Sequence, residues 1–196
     1  MQLPSLSHLH LLTRLLGIVL ILTSLSGCVL GILGGATSGA LLSQDRRTLG
    51  TITEDQGIEL KASTRVTEKL PTAHINIRSF NRMVLISGEV SSAGAREEAE
   101  RIVRGVESVQ GVYNEIQIQG VSDMKTRAND VFITSKIKTR LIDSGKVSAV
   151  NVKINTENGV VYLMGLVKHE EADAAAQIAS TTSGTQKVVR LFEYLD

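Results

Sequence analysis

At 196 residues, with 21 Lys+Arg against 20 Asp+Glu, the chain has room for one or two small domains and carries a formal net charge of +1. That balance excludes a protein that attracts nucleic acid or an anionic surface through overall charge, so such binding has to rest on local charge distribution. The single cysteine, Cys28, excludes an internal disulfide and any Cys/His metal spacing, and no tryptophan is present.

Arg14 is the only formally charged residue before Asp45. A largely apolar core from Leu15 to Leu25 follows it, too short for a membrane span. Basic residue, apolar core and small residues ahead of a cut point predict a secretory signal peptide over 1–27. The ending Leu25-Ser26-Gly27-Cys28 resembles the lipobox of bacterial lipoprotein precursors. By that resemblance Cys28 is lipidated and becomes the new N-terminus, and Val29, in place of an Asp, favours the outer membrane. Two or three acyl chains hold a protein on a bilayer far more firmly than one. With Arg14 removed, the remainder balances 20 basic against 20 acidic residues. Residues 28–53 read as a lipidated tether, because Gly31, Gly34, Gly35 and Gly39 interrupt its apolar residues and disfavour a helix.

From 54 the pattern becomes regular. Ile58, Ala62, Val66 and Leu70 recur every fourth residue, the signature of one helix face, and Pro71 stops it. A hairpin is predicted over 74–90, then a second helix marked by Ala95, Ala99, Ile102, Val103 and Val106. A last strand alternates Val112, Asn114, Ile116 and Ile118 with polar neighbours. Residues 120–123 form a short linker. A second unit spans 124–196, with a helix from about Asn129 to Ile142. In its hairpin, Asn158-Gly159 is a strong tight-turn signal ahead of the buried run Val160–Met164. Ala172, Ala175, Ala176 and Ala179 mark the next helix, and Val188 to Leu195 the final strand.

The two hairpins match position for position: Asn81 with Asn158, Val84 with Val161, Gly88 with Gly165, Val90 with Val167. The chain is therefore an internal duplication. Arg82 stands where the second copy has Gly159, which predicts a different turn type in the first hairpin. Gly88 and Gly165 each mark a bulge or a close approach of a helix to the strand.

Two copies of helix-strand-strand-helix-strand, with Asn-x-x-Val-x-Leu/Ile-x-Gly-x-Val at the hairpin, resemble BON domains. The expected fold is α+β, with two helices on a three-stranded mixed sheet in each copy: 54–119 and 124–196. Behind a lipobox, this arrangement resembles the dual-BON outer-membrane lipoproteins linked to cell division and envelope stress. The resemblance implies a non-catalytic, cofactor-free module that faces the periplasm, associates with phospholipid and supports envelope integrity. Each unit is near the lower size limit for independent stability, so the two are expected to pack together.

The first helix of unit two differs most from its counterpart. At 100° per residue, Asp130, Ile133, Thr134, Ile137 and Leu141 share the arc that packs on the sheet. Phe132, Ser135, Lys136 and Thr139 point away from it, flanked by Val131, Lys138 and Ile142, with Arg140 nearby. Between Met124 and Lys146 there are six basic residues and two acidic ones. An outward aromatic among cations suits an anionic phospholipid such as phosphatidylglycerol, with the ring at the acyl boundary and the cations on phosphate. Two other readings stand beside it: Phe132 packs against unit one, or the face docks an envelope-assembly or division protein. Enzyme readings fare badly. Beyond the signal only His74 and His169 remain, and they are not equivalent. Ser135-x-x-Lys138 lacks the companion motifs of a penicillin-binding nucleophile, and the glutamates at 97, 98, 100, 170 and 171 read as solvated helix charges.

Overall fold

The computed structural model describes residues 44–196; the signal peptide, Cys28 and most of the expected tether lie outside them. Helix α1 (Leu49–Lys69) is capped by Thr48, whose side chain accepts from Thr51 N, and it ends at Leu70 ahead of Pro71. Strands β1 (His74–Phe80) and β2 (Met83–Val90) form the first hairpin. Helix α2 (Ala93–Arg104), capped by Ser92, then crosses to β3 (Gly111–Ile118). The second repeat follows the same order: α3 (Met124–Ser144), β4 (Val152–Glu157), β5 (Val160–Val167), α4 (His169–Ser180) and β6 (Lys187–Tyr194). In each sheet the hairpin is antiparallel and the third strand runs parallel to the second. The fold is α+β, with two three-stranded mixed sheets.

The helices of each repeat lie on one face of its own sheet. Ile58, Ala62 and Val66 of α1 and Ala99 and Val103 of α2 pack on Ile77, Val84, Ile86 and Ile116. Ile133, Ile137 and Leu141 of α3 and the alanines of α4 do the same on Ile154, Val161, Leu163 and Phe192. The helix-free faces form a third core between the repeats, from Phe80 and Leu85 on one side and Tyr162 and Met164 on the other. The layers are therefore helix, sheet, sheet, helix. The near-continuous apolar runs of β2 and β5 follow from this, because both faces of those strands are covered.

Four expectations change. The tether does not extend to 53. Gln44–Thr48 already lies on the folded body, and α1 starts at Leu49, while α3 starts at Met124 rather than near 129. The two hairpin turns are alike: Asn81 and Arg82 have φ of 51° and 65°, against 48° and 74° for Asn158 and Gly159. Arg82 is held in this left-handed region because Asp55 accepts from its backbone N at 2.8 Å and from Asn81 N at 2.9 Å. At Gly88 and Gly165 the close approach is made by backbone at the start of the neighbouring strand or just before it, not by a helix. A Cβ would lie 2.1 Å from His74 O and 2.4 Å from Asn151 O respectively.

Candidate functional site

Helix α3 is fixed from below and along its first half. Ile133, Ile137 and Leu141 are buried on the second sheet. Near its start, Asp130 accepts from the hairpin N–H groups of Asn158 at 2.8 Å and Gly159 at 2.9 Å. Thr134 Oγ1 bonds Thr156 Oγ1 at 2.7 Å. With that face committed, the opposite one has no place in the core. Phe132 is 58% exposed, Val131 67% and Ile142 66%, and Phe132 does not pack against repeat one. Lys136 lies over the Phe132 ring, its Nζ 4.3 Å from the centroid, which keeps the ring and a cation together on the surface.

Ser135, Lys138 and Thr139 are exposed on the same side. The Ser135 and Thr139 hydroxyls donate back to Val131 O and Ser135 O, leaving oxygen lone pairs outward. Arg140 is turned to the end of α4, where it donates to Ile178 O at 2.8 Å and to the Thr181 and Thr182 hydroxyls. Its charge has no carboxylate partner among the described residues. Between α3 and this loop runs an open groove of about 540 Å³, lined by Phe132, Lys136, Arg140 and five hydroxyl-bearing side chains. Every residue placed on the outward face from the sequence thus lies there, with Lys136 and Arg140 partly engaged by neighbours.

The first described residues matter to this face. Ser148 Oγ donates to Gln44 Oε1 at 3.1 Å, and Arg46 N donates to Asn151 Oδ1 at 3.2 Å. Arg46 also grips Glu171 with two nitrogens, at 2.6 and 2.8 Å, and these hydrogen bonds lower the Glu171 pKa. Arg47 turns to repeat one, pairing Asp55 at 2.9 Å and covering the Phe80 ring at 3.8 Å. Gln44 and Arg46 therefore lie beside the 145–151 loop, which follows the C-terminal end of α3.

Other interactions were not foreseen from the sequence. Asn81 Nδ2 donates to Glu193 of the other repeat at 3.0 Å, and Asn158 Nδ2 donates to the buried Glu89. Each hairpin asparagine thus makes the turn of one repeat and clamps the other. Glu157, also between the sheets, accepts from Asn76 at 2.7 Å and Asn155 at 3.1 Å. Burial holds its carboxyl above the usual carboxylate range. The one available signal was the pair of aspartates, Asp55 and Asp130, recurring on the packing face of the first helix ahead of each hairpin.

The duplicated fold, its hairpin locks and the outward face of α3 define a two-repeat α+β module, and comparison with known proteins agrees. The BON domain family matches residues 55–120 and 129–196, so the chain belongs to that family. It is 35% identical over 195 residues to the outer membrane lipoprotein DolP of Haemophilus influenzae, covering 98% of this chain and 100% of that protein. The 21 kDa hemolysin of Actinobacillus pleuropneumoniae is 32% identical over 154 residues, covering 77% of this chain and 79% of the relative. The osmotically-inducible protein Y of Escherichia coli is 27% identical over 157 residues, covering 78% of each. The chain is a non-catalytic, lipid-anchored outer-membrane protein. Among the described residues no helix is long and apolar enough to cross a membrane.

Proposed function

We propose that this protein, anchored through Cys28 on the periplasmic side of the outer membrane, binds anionic phospholipid such as phosphatidylglycerol through α3 and thereby supports membrane integrity. The observation that carries the reading is Phe132: exposed, held under Lys136, and mounted on a helix whose other face is locked into the core. Burying such a ring contributes roughly 1.5–3 kcal/mol, and each basic residue near an anionic surface adds about 1 kcal/mol. With Lys136 and Lys138 counted, the sum is about 3.5–5 kcal/mol, a dissociation constant around the millimolar range. Binding that weak is useful when the anchor already holds the site at a comparable effective concentration.

The test is flotation of the Gln44–Asp196 unit, which contains all three cores and is compact by itself. Phosphatidylglycerol vesicles and purely zwitterionic vesicles are compared at low and high salt. The expected result is attachment to anionic vesicles alone, weakened by salt, by Phe132→Ala and by Lys136→Glu, with unchanged melting of both variants. Equal attachment of parent and both variants would remove α3 from the function. No attachment at all would leave the lipid on Cys28 as the membrane contact and favour docking of an envelope-assembly or division protein.

A further inference from the structure

The third core stops short of one side of the molecule, and there the repeats leave a cleft of about 440 Å³ between β1 and α1 of repeat one and α3 and β4 of repeat two. That volume lies within the range of small-ligand sites. Its charges do not cancel locally. Glu59 is taken up by Lys153 and by Ser79 N. Asp130 is taken up by the Asn158 and Gly159 N–H groups. Glu157 is taken up by Asn76 and Asn155, with His74 Nε2 at 3.6 Å.

Three cations lining the cleft, Arg78, Arg127 and Lys138, have no carboxylate partner among the described residues. Arg78 makes a single long bond, 3.3 Å to Ile77 O. Arg127 uses Nε and Nη2 on Ser122 and keeps Nη1 free. A half-buried guanidinium with most of its donors unused is costly unless an acceptor arrives. The exposed hydroxyl of Ser135 and that of Thr134 line the same wall.

We infer that this inter-repeat cleft is a phosphate site, in which Arg78 of repeat one and Lys138 of repeat two hold one phosphate group, while Arg127, drawn toward Ser122 about three helical turns from Lys138, adds positive charge at the far end of the same wall. The ligand class is a glycerol-linked phosphate, either the headgroup of a membrane lipid or a free phosphate ester. For the lipid as source, the inference rests on the membrane-binding reading, since Val131, Ser135 and Lys138 belong both to the cleft and to the outward side of α3. A lipid whose chains meet Phe132 and Val131 would then pass its headgroup inward between the repeats, and repeat one would share in binding. Forked N–H donors suit this task, because guanidinium binds phosphate through paired, charge-assisted hydrogen bonds.

The test uses the Gln44–Asp196 unit with two probes, sn-glycerol 3-phosphate in solution and phosphatidylglycerol vesicles. Binding is read by calorimetry and by NMR shifts of the Arg78 side-chain N–H groups. Arg78→Gln is expected to weaken binding about tenfold, the loss of one charged hydrogen-bonding partner, while Lys61→Gln, an equal charge loss on the exposed side of α1, changes it less than twofold. Arg78-dependent binding of glycerol phosphate assigns the site to a free ester as well as a headgroup; Arg78-dependence with vesicles alone assigns it to lipid. Parent-like affinity of Arg78→Gln for every probe that the parent binds, or no shift of the Arg78 N–H signal, overturns the inference. If vesicle attachment falls with Phe132→Ala but not with Arg78→Gln, the cleft is wrong and the membrane reading stands. If neither probe binds the parent, both fail.

Discussion

Truncation of Asp55 to alanine tests the lock that sets the first hairpin. The carboxylate is 2% exposed and accepts four donors: Ser79 Oγ at 2.6 Å, Arg82 N at 2.8 Å, Asn81 N at 2.9 Å and Arg47 Nη1 at 2.9 Å. Removing it strands two backbone N–H groups in a turn whose residues are both left-handed and neither of them glycine. It also leaves Arg47 with Asp45 as its remaining carboxylate partner. At about 1 kcal/mol for each of the three uncharged donors, Ser79 Oγ, Asn81 N and Arg82 N, the low end for unsatisfied groups, the loss is about 3 kcal/mol. Breaking a buried charge pair has a similar lower bound. Against a total stability of roughly 5–15 kcal/mol this is large. With a urea m-value of about 2 kcal/mol/M, the midpoint of the Gln44–Asp196 unit should fall by about 1.5 M. Asp130→Ala should cost less, about 2 kcal/mol, because Gly159 tolerates its positive φ without help. A midpoint for Asp55→Ala within about 0.25 M of the parent, which is about 0.5 kcal/mol, would refute the lock; so would a larger loss for Asp130→Ala.

Two further outcomes are expected. Gly165→Val should lower the melting temperature by about 6–12 °C, from an overpacking cost of about 3 kcal/mol, because the new Cβ meets the backbone just before β4, Asn151 O, at 2.4 Å. Gly94→Ala, with nothing within 4 Å, should leave it unchanged or raise it. The Arg46–Glu171 grip should be acid-labile. The Glu171 pKa is lowered by its hydrogen bonds to Arg46, so the docked state gains stability that is fully present above the ordinary value of 4.5 and is lost as pH falls through the lowered one. Protection of residues 44–48 against hydrogen exchange, referred to the intrinsic rate at each pH, should therefore fall in acid, and Glu171→Gln should show the lowered protection already at neutral pH; protection unchanged from pH 7 to pH 3 would contradict this.

Local patterns carried the elements well. Val152 and Ile154 alternate ahead of a turn signal, and Val160–Met164 is an unbroken apolar run, so the hairpin and its register are written in adjacent residues. The outward face of α3 followed from periodicity alone, since 100° steps separate Ile133, Ile137 and Leu141 from Phe132 and Thr139. What stayed hidden depends on partners distant in sequence. Arg82 looked incompatible with the turn that Gly159 makes, because the carboxylate holding it comes from Asp55 on the preceding helix. Gln44–Thr48 looked like tether because its partners, Ser148, Asn151 and Glu171, are contributed by repeat two. The inter-repeat cleft is a product of docking two sheets, which no single window of sequence records.

Duplication also explains why the repeats diverge where they do. The hairpin asparagines serve twice, in the turn and across the interface, to Glu193 and to Glu89. The aspartates behind them serve the turn in both copies. Change at any of these positions breaks bonds in its own repeat or in both, so the inner faces keep their shared pattern. The outer faces of α1 and α3 have no such obligation. On α1 that freedom leaves Leu49 and Leu60 exposed among uncharged neighbours at 53, 56, 57, 63 and 64. On α3 it places Phe132, Lys136 and Lys138 outward, with Lys138 also lining the inter-repeat cleft. One scaffold thus carries two helices with the same inner task and different outer chemistry, and lipid recognition is expected of the basic one.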